Sequence, residues 1–274
     1  MDERREFLEK KAQRIRYLTI DCIASLGVGH VGGALSIAEV LAVLYSGAMR
    51  VDPKVPKLEG RDRLVLSKGH AGPALYAALA NEGYFPLEEL HTLNQPGTHL
   101  PSHADMRLTT GVDMTAGSLG QGFSCAVGIA AASKLKGDGA TIFTLIGDGE
   151  SEEGTIWEAG MSAAHYRLDN LIAFTDYNKY QIDGTVQEVG GLTGLADKWR
   201  AFGWTVLSVD GHDVIDIENA VNFAKKQRNC GKPIMVILDT VKGKGVAYAE
   251  QLKAGSHNFT IDSALREQIL EELR

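Results

Sequence analysis

Apolar and polar positions along the chain follow two rhythms. Over residues 3–25, Phe7, Leu8, Ile15, Leu18 and Ile23 recur near one helical face, and the glycines of Gly27-Val-Gly29 end the pattern. Ser36-Ile-Ala-Glu39 has the form of a capping box ahead of the apolar run Val40-Leu-Ala-Val-Leu44, which predicts a second helix. Short β-rich runs then alternate with helical stretches, and strands are predicted at 63–67, 140–146, 171–176, 205–209 and 234–240. That alternation predicts an α/β fold, a mostly parallel sheet with helices on both faces. Residues 118–134 read as a helix with many small side chains, which lets a ligand or another backbone come close or lets the helix pack tightly on the sheet. A further helix is predicted over 154–167. Two long irregular segments, 93–117 and 177–194, are rich in Gly, Asn, Asp and Thr, and loops of that length are functional or disordered. No Pro/Ser linker, low-complexity tract or fixed-period repeat divides the chain, so 1–274 reads as a single domain.

Composition narrows the function classes. With 274 residues and 44% hydrophobic content, the chain can bury a sizeable core. The net charge of −7 and pI of 5.6 disfavour a general nucleic-acid or anionic-membrane surface, because phosphates would meet net repulsion. The eight tyrosines form no stripe on which bases could stack. The start, MDERREFLEKKAQRIR, has no apolar core of signal-peptide length, and no later run approaches membrane-spanning length, so the expected location is the cytoplasm. Cys22, Cys125 and Cys230 are widely spaced and outside any CxxC pattern, which fits reduced thiols in core positions.

The chemistry concentrates at Ile146-Gly-Asp-Gly-Glu-Ser-Glu-Glu-Gly154, four acids among three glycines at the predicted carboxyl end of a strand. That is where open α/β sheets place ligands. Asp148 is followed about 30 residues later by Asn178, at the end of the next predicted strand, with one helix between them. The step has the length of one βαβ crossover. Neighbouring parallel strands lie about 4.8 Å apart, so both side chains can converge on one point. Asp, an Asn amide oxygen and a backbone carbonyl are ligands that Mg²⁺ accepts, and it completes its octahedron with phosphates and water. Gly149 and the following helix N-terminus would favour the approach of a diphosphate. Taken singly, Asp148-Gly149 is an ordinary turn and Asn178 an ordinary loop cap. GDGESE lacks the third glycine of GxGxxG, no GxxxxGK[ST] occurs, and an EF-hand would need glycine where Glu153 stands. His99 and His103 have HxxxH spacing but no third zinc ligand in register.

Six stretches in order resemble the motifs of the transketolase family: Gly29-His-Val-Gly-Gly33, Ser67-Lys-Gly-His70, Leu100-Pro-Ser-His103, Gly117-Ser-Leu-Gly-Gln-Gly122, Gly147-Asp-Gly149 and Asp176-Tyr-Asn-Lys-Tyr-Gln-Ile-Asp-Gly184. The resemblance extends more loosely to His257, and Val31 and Ser118 stand where the family commonly has proline. It implies a thiamin-diphosphate-binding fold with Asp148, Asn178 and the Tyr180 carbonyl holding Mg²⁺, and with His70, Gly149 and Asn178 at the cofactor's diphosphate. Gly117, Ser118 and Leu119 would lie near the aminopyrimidine, and His30, His103 and His257 would line the substrate channel. Glu153 and Glu158 would face a neighbouring chain.

The implied activity is reversible transfer of a two-carbon ketol unit from a ketose phosphate to an aldose phosphate, as in the pentose phosphate pathway. Thiamin diphosphate would supply the electron sink for C–C cleavage. The family's pyrimidine-binding and C-terminal domains have no counterpart here, so the chain resembles the N-terminal subunit of a split transketolase. Its expected partner is a separate C-terminal subunit, in a heterotetramer. A thiamin-diphosphate-dependent 2-oxoacid decarboxylase or dehydrogenase component shares the GDG…Asn spacing, and a non-catalytic diphosphate-binding subunit is the third alternative.

Overall fold

The chain opens with a long helix, α1 (Asp2–Leu26), in a computed structural model that describes residues 2–274. Leu8, Ala12, Ile15, Leu18, Thr19, Cys22 and Ile23 are its buried stripe. Gly27, at φ 86°, ends it in the left-handed conformation that glycine adopts without a steric cost. All five predicted strands form, within two residues of the expected limits: β1 (Arg63–Leu66), β2 (Ile142–Gly147), β3 (Leu171–Tyr177), β4 (Thr205–Asp210) and β5 (Ile234–Asp239). They make one parallel sheet in the order β1-β2-β3-β5-β4.

Both faces of this sheet are covered, which is why β2 reads as six consecutive buried residues rather than an alternation. One face carries Phe143, Leu145, Ile172, Phe174, Val236 and Leu238. It packs on α1, α2 (Ala38–Val43), α3 (Gly72–Asn81) and α7 (Val214–Lys226). The other presents Ile142, Ile146, Leu171, Ala173 and Met235 to α4 (Gln121–Lys136), α5 (Gly154–His165) and α6 (Leu195–Ala201). Trp199 anchors this second layer, fully buried, with its ring centroid 4.9 Å from Trp204 and 5.8 Å from Phe123.

Three sequence expectations need correction. Ser36 does not cap α2, which starts one residue later, after Ile37. Its hydroxyl donates instead to the Asp176 carboxylate at 2.7 Å, and Glu39 turns to Arg16 and His212. Buried charges outcompete the free amides of a helix end for these two side chains. A capping box does form at Thr185 and Glu188, on the short helix Val186–Gly190 inside the irregular segment 177–194. Of the cysteines, only Cys22 is a core residue; Cys125 is half-buried and Cys230 exposed.

The two ends of the described chain meet. Val28–Gly29 pairs antiparallel with Phe259–Thr260, which brings the segments carrying His30 and His257 side by side. No helix among the described residues is long and apolar enough to cross a membrane.

The small residues of α4 divide into two kinds. A Cβ on Gly122 would lie 2.7 Å from Ser67 Cα, so that glycine is where the helix touches the end of β1, whereas Gly128 is exposed with nothing within 4 Å. Gly122→Ala is expected to cost about 1–3 kcal/mol by overpacking. Gly128→Ala should instead stabilise the isolated chain by about 0.5–1 kcal/mol through helix propensity. Urea unfolding of the two variants measures both, and equal shifts would show that Gly122 is no contact point.

Candidate functional site

Four neighbouring strands end around one cavity of about 380 Å³. From β1 come Lys68 and His70, from β2 Asp148 and Gly149, from β3 Asn178 and Tyr180, and from β5 Lys242. His30, His103, His257, Gly117, Leu119 and Glu153 complete most of its lining. Ser118 is exposed at the rim, and Glu158 is exposed further along α5; neither lines the cavity. A larger depression of about 850 Å³ lies between β4, β5 and α7. It gathers neither the strand-end amide and carboxylate nor the histidines, so the smaller cavity is the chemical centre.

Register sets the central geometry. Gly147 pairs with Asp176 across β2 and β3, so the residues following each strand emerge together. Asp148 is 2% exposed; its Oδ1 accepts the Gly149 amide at 2.8 Å and its Oδ2 the Lys179 amide at 2.5 Å. Burial, then the neighbouring Asp176 charge, pushes its carboxyl up to about 7. Asn178 donates from Nδ2 to Asp176 at 2.8 Å, which leaves Oδ1 as the free acceptor face, and there it takes the Tyr180 amide at 3.1 Å. Between them Lys179 sits at φ 72°, a left-handed conformation uncommon outside glycine. Such strain gathers at functional sites, and here it turns the chain between Asn178 and Tyr180.

Beneath lies a fully buried ion pair. Lys68 Nζ reaches Asp176 Oδ2 at 2.5 Å and the Gly33 carbonyl at 2.8 Å, with both side chains at most 1% exposed. Asp176 also accepts from Ser36, Asn178 and Thr240. Burial alone would raise its carboxyl, but Lys68 and these hydrogen bonds hold it below the usual carboxylate range.

The four histidines cluster, with His30, His70 and His257 in mutual contact and His103 against His30. Centroids lie 5.5 Å apart for His30 and His70, 5.6 Å for His30 and His103, and 5.1 Å for both His30–His257 and His70–His257. Burial drives all four below the ordinary imidazole value, helped at His257 by Lys242, His30 and Lys68 and reaching about 4 there. Neutral imidazoles both donate and accept, which suits a hydroxyl-rich ligand. His99 instead approaches Glu89, at 3.8 Å. Among the described residues no three His, Cys, Asp or Glu side chains are grouped so that they could hold a metal.

Two residues that line the cavity were not singled out in the sequence. Glu150, one of the four acids of the GDG stretch and given no role of its own there, is buried. It accepts from Gly120 and Gly147 at 2.9 Å and from Ser67, tying the GDG turn to the start of α4. Burial raises its carboxyl. Lys242 is 3% exposed and burial lowers its ammonium to about 8. The run Val241-Lys-Gly-Lys-Gly245 directly after a predicted strand was the signal that could have found it.

The residues fit a hard dication with a bound diphosphate. Asp148 is a buried carboxylate and Lys242 a buried ammonium, and among the described residues neither has an ion-pair partner within 4.0 Å. One charge of each sign without an ion-pair partner, in one cavity, suits a metal and an anion arriving together.

Comparison with known proteins shows the family. The family profile described as "Transketolase, thiamine diphosphate binding domain" matches residues 8–273. The 6-deoxy-6-sulfo-D-fructose transketolase subunit of Clostridium sp. is 58% identical over 273 residues, covering 100% of this chain and 98% of that one. An apulose-4-phosphate transketolase subunit of Phocaeicola vulgatus is 38% identical, covering 97% and 94%. Among solved structures, transketolase from Campylobacter jejuni superposes with a TM-score of 0.89 at 33% identity, covering 98% of this chain and 43% of that one. The chain thus spans less than half the length of that solved transketolase.

Two measurements test the geometry. Lys68→Met strands the Asp176 charge and is expected to destabilise the chain by about 3–5 kcal/mol in urea unfolding. A loss below about 1 kcal/mol would mean that the pair is not a structural keystone. The second concerns pH. His257 titrates lower when folded than unfolded, so the unfolded chain takes the proton first and the contribution of His257 to stability is lost as pH falls from about 6.5 to about 4. Asp148 and Glu150, with raised values, act in the opposite sense. The readout is therefore a difference: His257→Gln should gain stability relative to the unsubstituted chain as pH is lowered through that window. A pH-independent difference would contradict the assignment.

Proposed function

The chain belongs to the transketolase thiamine diphosphate binding domain family, and from that membership we propose that it is the diphosphate-binding subunit of a two-chain transketolase. The observation that carries the reading is that Asp148, Asn178 and Tyr180, at adjacent strand ends, line one cavity with a lysine that has no ion-pair partner among the described residues and with four histidines of lowered basicity. In this reading Asp148, Asn178 and the Tyr180 carbonyl hold Mg²⁺. Gly149 lets the diphosphate approach the backbone, and His70 and Asn178 contact it; a Cβ at Gly149 would also crowd Gln181, whose Cβ would lie at 3.1 Å. Gly117, Ser118 and Leu119 flank the aminopyrimidine.

Thiamin diphosphate supplies, when bound, the electron sink that C–C cleavage of a ketose needs. The chain's own residues bind, orient and move protons. His30, His103 and His257 hydrogen-bond the sugar hydroxyls and the reacting carbonyl oxygen, and their depressed basicity keeps both donor and acceptor positions in use near neutral pH. Glu153 and Glu158, both exposed, face the C-terminal subunit that carries the pyrimidine-binding domain. We place the chain as one domain in a cytoplasmic heterotetramer. The 58% identity over the full length supports 6-deoxy-6-sulfo-D-fructose as the ketose donor in preference to apulose 4-phosphate or a pentose phosphate.

The test is co-purification with the partner, then ketol transfer assayed with Mg²⁺ and thiamin diphosphate on those ketoses. The complex should be active, this chain alone inactive, and Asp148→Ala should lower kcat/KM by at least about 100-fold, the upper range for losing even an outer-shell metal partner. Activity of the chain alone would refute the two-chain arrangement. Turnover of pyruvate but no ketose would favour the 2-oxoacid reading, and an unimpaired Asp148→Ala complex would remove the metal site from the reaction.

A further inference from the structure

Lys242 has an unusual environment for a buried lysine. Its stem packs on Gly32, where a Cβ would come within 2.8 Å of Lys242 Cγ. Its ammonium makes one hydrogen bond, to the Tyr180 carbonyl oxygen at 3.0 Å. Lys68, the other buried lysine among the described residues, is neutralised by Asp176 and so is already engaged. The oxygen that Lys242 occupies is one of the three assigned above to Mg²⁺. A metal would approach it to about 2.1 Å, which would set two like charges close together in a desolvated space. Ammonium and dication therefore compete for the Tyr180 carbonyl.

The backbone on either side of Lys242 is pinned. The Val241 amide donates to His212 Nε2 at 2.8 Å and the Gly243 amide to the Gly32 carbonyl at 3.0 Å. Release of the carbonyl thus needs only a side-chain rotation, and a diphosphate in the same cavity is the group that would attract the ammonium.

We infer that Lys242 makes metal capture conditional on diphosphate: without the anion its ammonium stands in the metal's place on Tyr180, and the arriving anion draws it off and frees the oxygen. The inference rests on reading Asp148, Asn178 and Tyr180 as the metal site. It gives one substitution opposite effects on two ligands. Removing the charge should tighten binding of the metal alone and weaken binding of the diphosphate.

The experiment uses the full chain, with Mn²⁺ followed by electron paramagnetic resonance and inorganic pyrophosphate followed by calorimetry. Lys242→Met and Lys242→Gln are compared with the unsubstituted chain and with Asp148→Ala. Both neutral variants should bind Mn²⁺ alone about 10-fold tighter and pyrophosphate about 10-fold more weakly, a coupling of ordinary size. Two neutral variants are used so that a folding defect in one, visible as a lost unfolding transition, leaves the other to decide. Unchanged or weaker Mn²⁺ binding in a folded variant, with binding still abolished by Asp148→Ala, overturns the inference and leaves the metal site standing. Mn²⁺ binding unaffected by Asp148→Ala overturns the metal-site reading and the inference with it.

Discussion

The buried pair of Lys68 and Asp176 is the constraint on which the rest of the site depends. A carboxylate with no solvent exposure must be neutralised and hydrogen-bonded or it would protonate, and Asp176 meets that demand with partners from four separate segments. Those segments are the turn at Ser36, the end of β1, the Asn178 loop and Thr240 after β5. The arrangement acts as a clamp. The need to satisfy one charge sets where the chain goes at four strand ends or turns, and it orients the Asn178 amide with its oxygen available. Replacing the pair with apolar residues of similar size could preserve stability, but it would leave that amide free to flip. The ion pair therefore gives specificity of orientation beyond whatever it contributes to stability.

Above the clamp, the geometry follows from parallel pairing. Adjacent strands in register deliver Asp148 and Asn178 together, and the left-handed turn at Lys179 carries the chain on to Tyr180. The Lys179 amide is itself used, donating to Asp148. Glu150 works on the other side of the GDG turn, where it takes amides from Gly120 and Gly147 and so joins that turn to the start of α4. Of the four acids that follow Ile146, one faces the proposed metal, one is internal structure, Glu152 holds Gln181, and Glu153 reaches the surface.

The pattern of the chain revealed the layers better than the contacts. The five strands were legible because both-face burial produces continuous apolar runs, and the Asp148–Asn178 pair because one crossover has a characteristic length. The resemblance assigned His30, His103 and His257 to one channel and His70 to the diphosphate, but the meeting of His30 and His257 through the pairing of residues 28–29 with 259–260 was not legible, since a two-residue strand leaves no periodicity to detect. Ser36 misled for a definite reason. A Ser-x-x-Glu spacing says nothing about a buried carboxylate 140 residues from Ser36, or an imidazole 173 residues from Glu39, that engages the same side chains. Lys242 and Glu150 were missed for the complementary reason, that long charged side chains are ordinarily exposed and only the fold shows them turned inward.

Burial of unbalanced charge connects stability to function. Asp148, raised to about 7, and Lys242, lowered to about 8, are each held away from their ordinary ionisation by the same desolvation. A fold selected only for stability would place apolar side chains there. Keeping a carboxylate and an ammonium dry, a few side chains apart and without salt bridges of their own, raises the free energy of the ligand-free chain. Any ligand that supplies the missing countercharges recovers that free energy as affinity, and it stabilises the folded chain by mass action as it does so. The local rule that the sequence breaks, buried charge without an ion-pair partner, is thus the feature on which the proposed binding site rests.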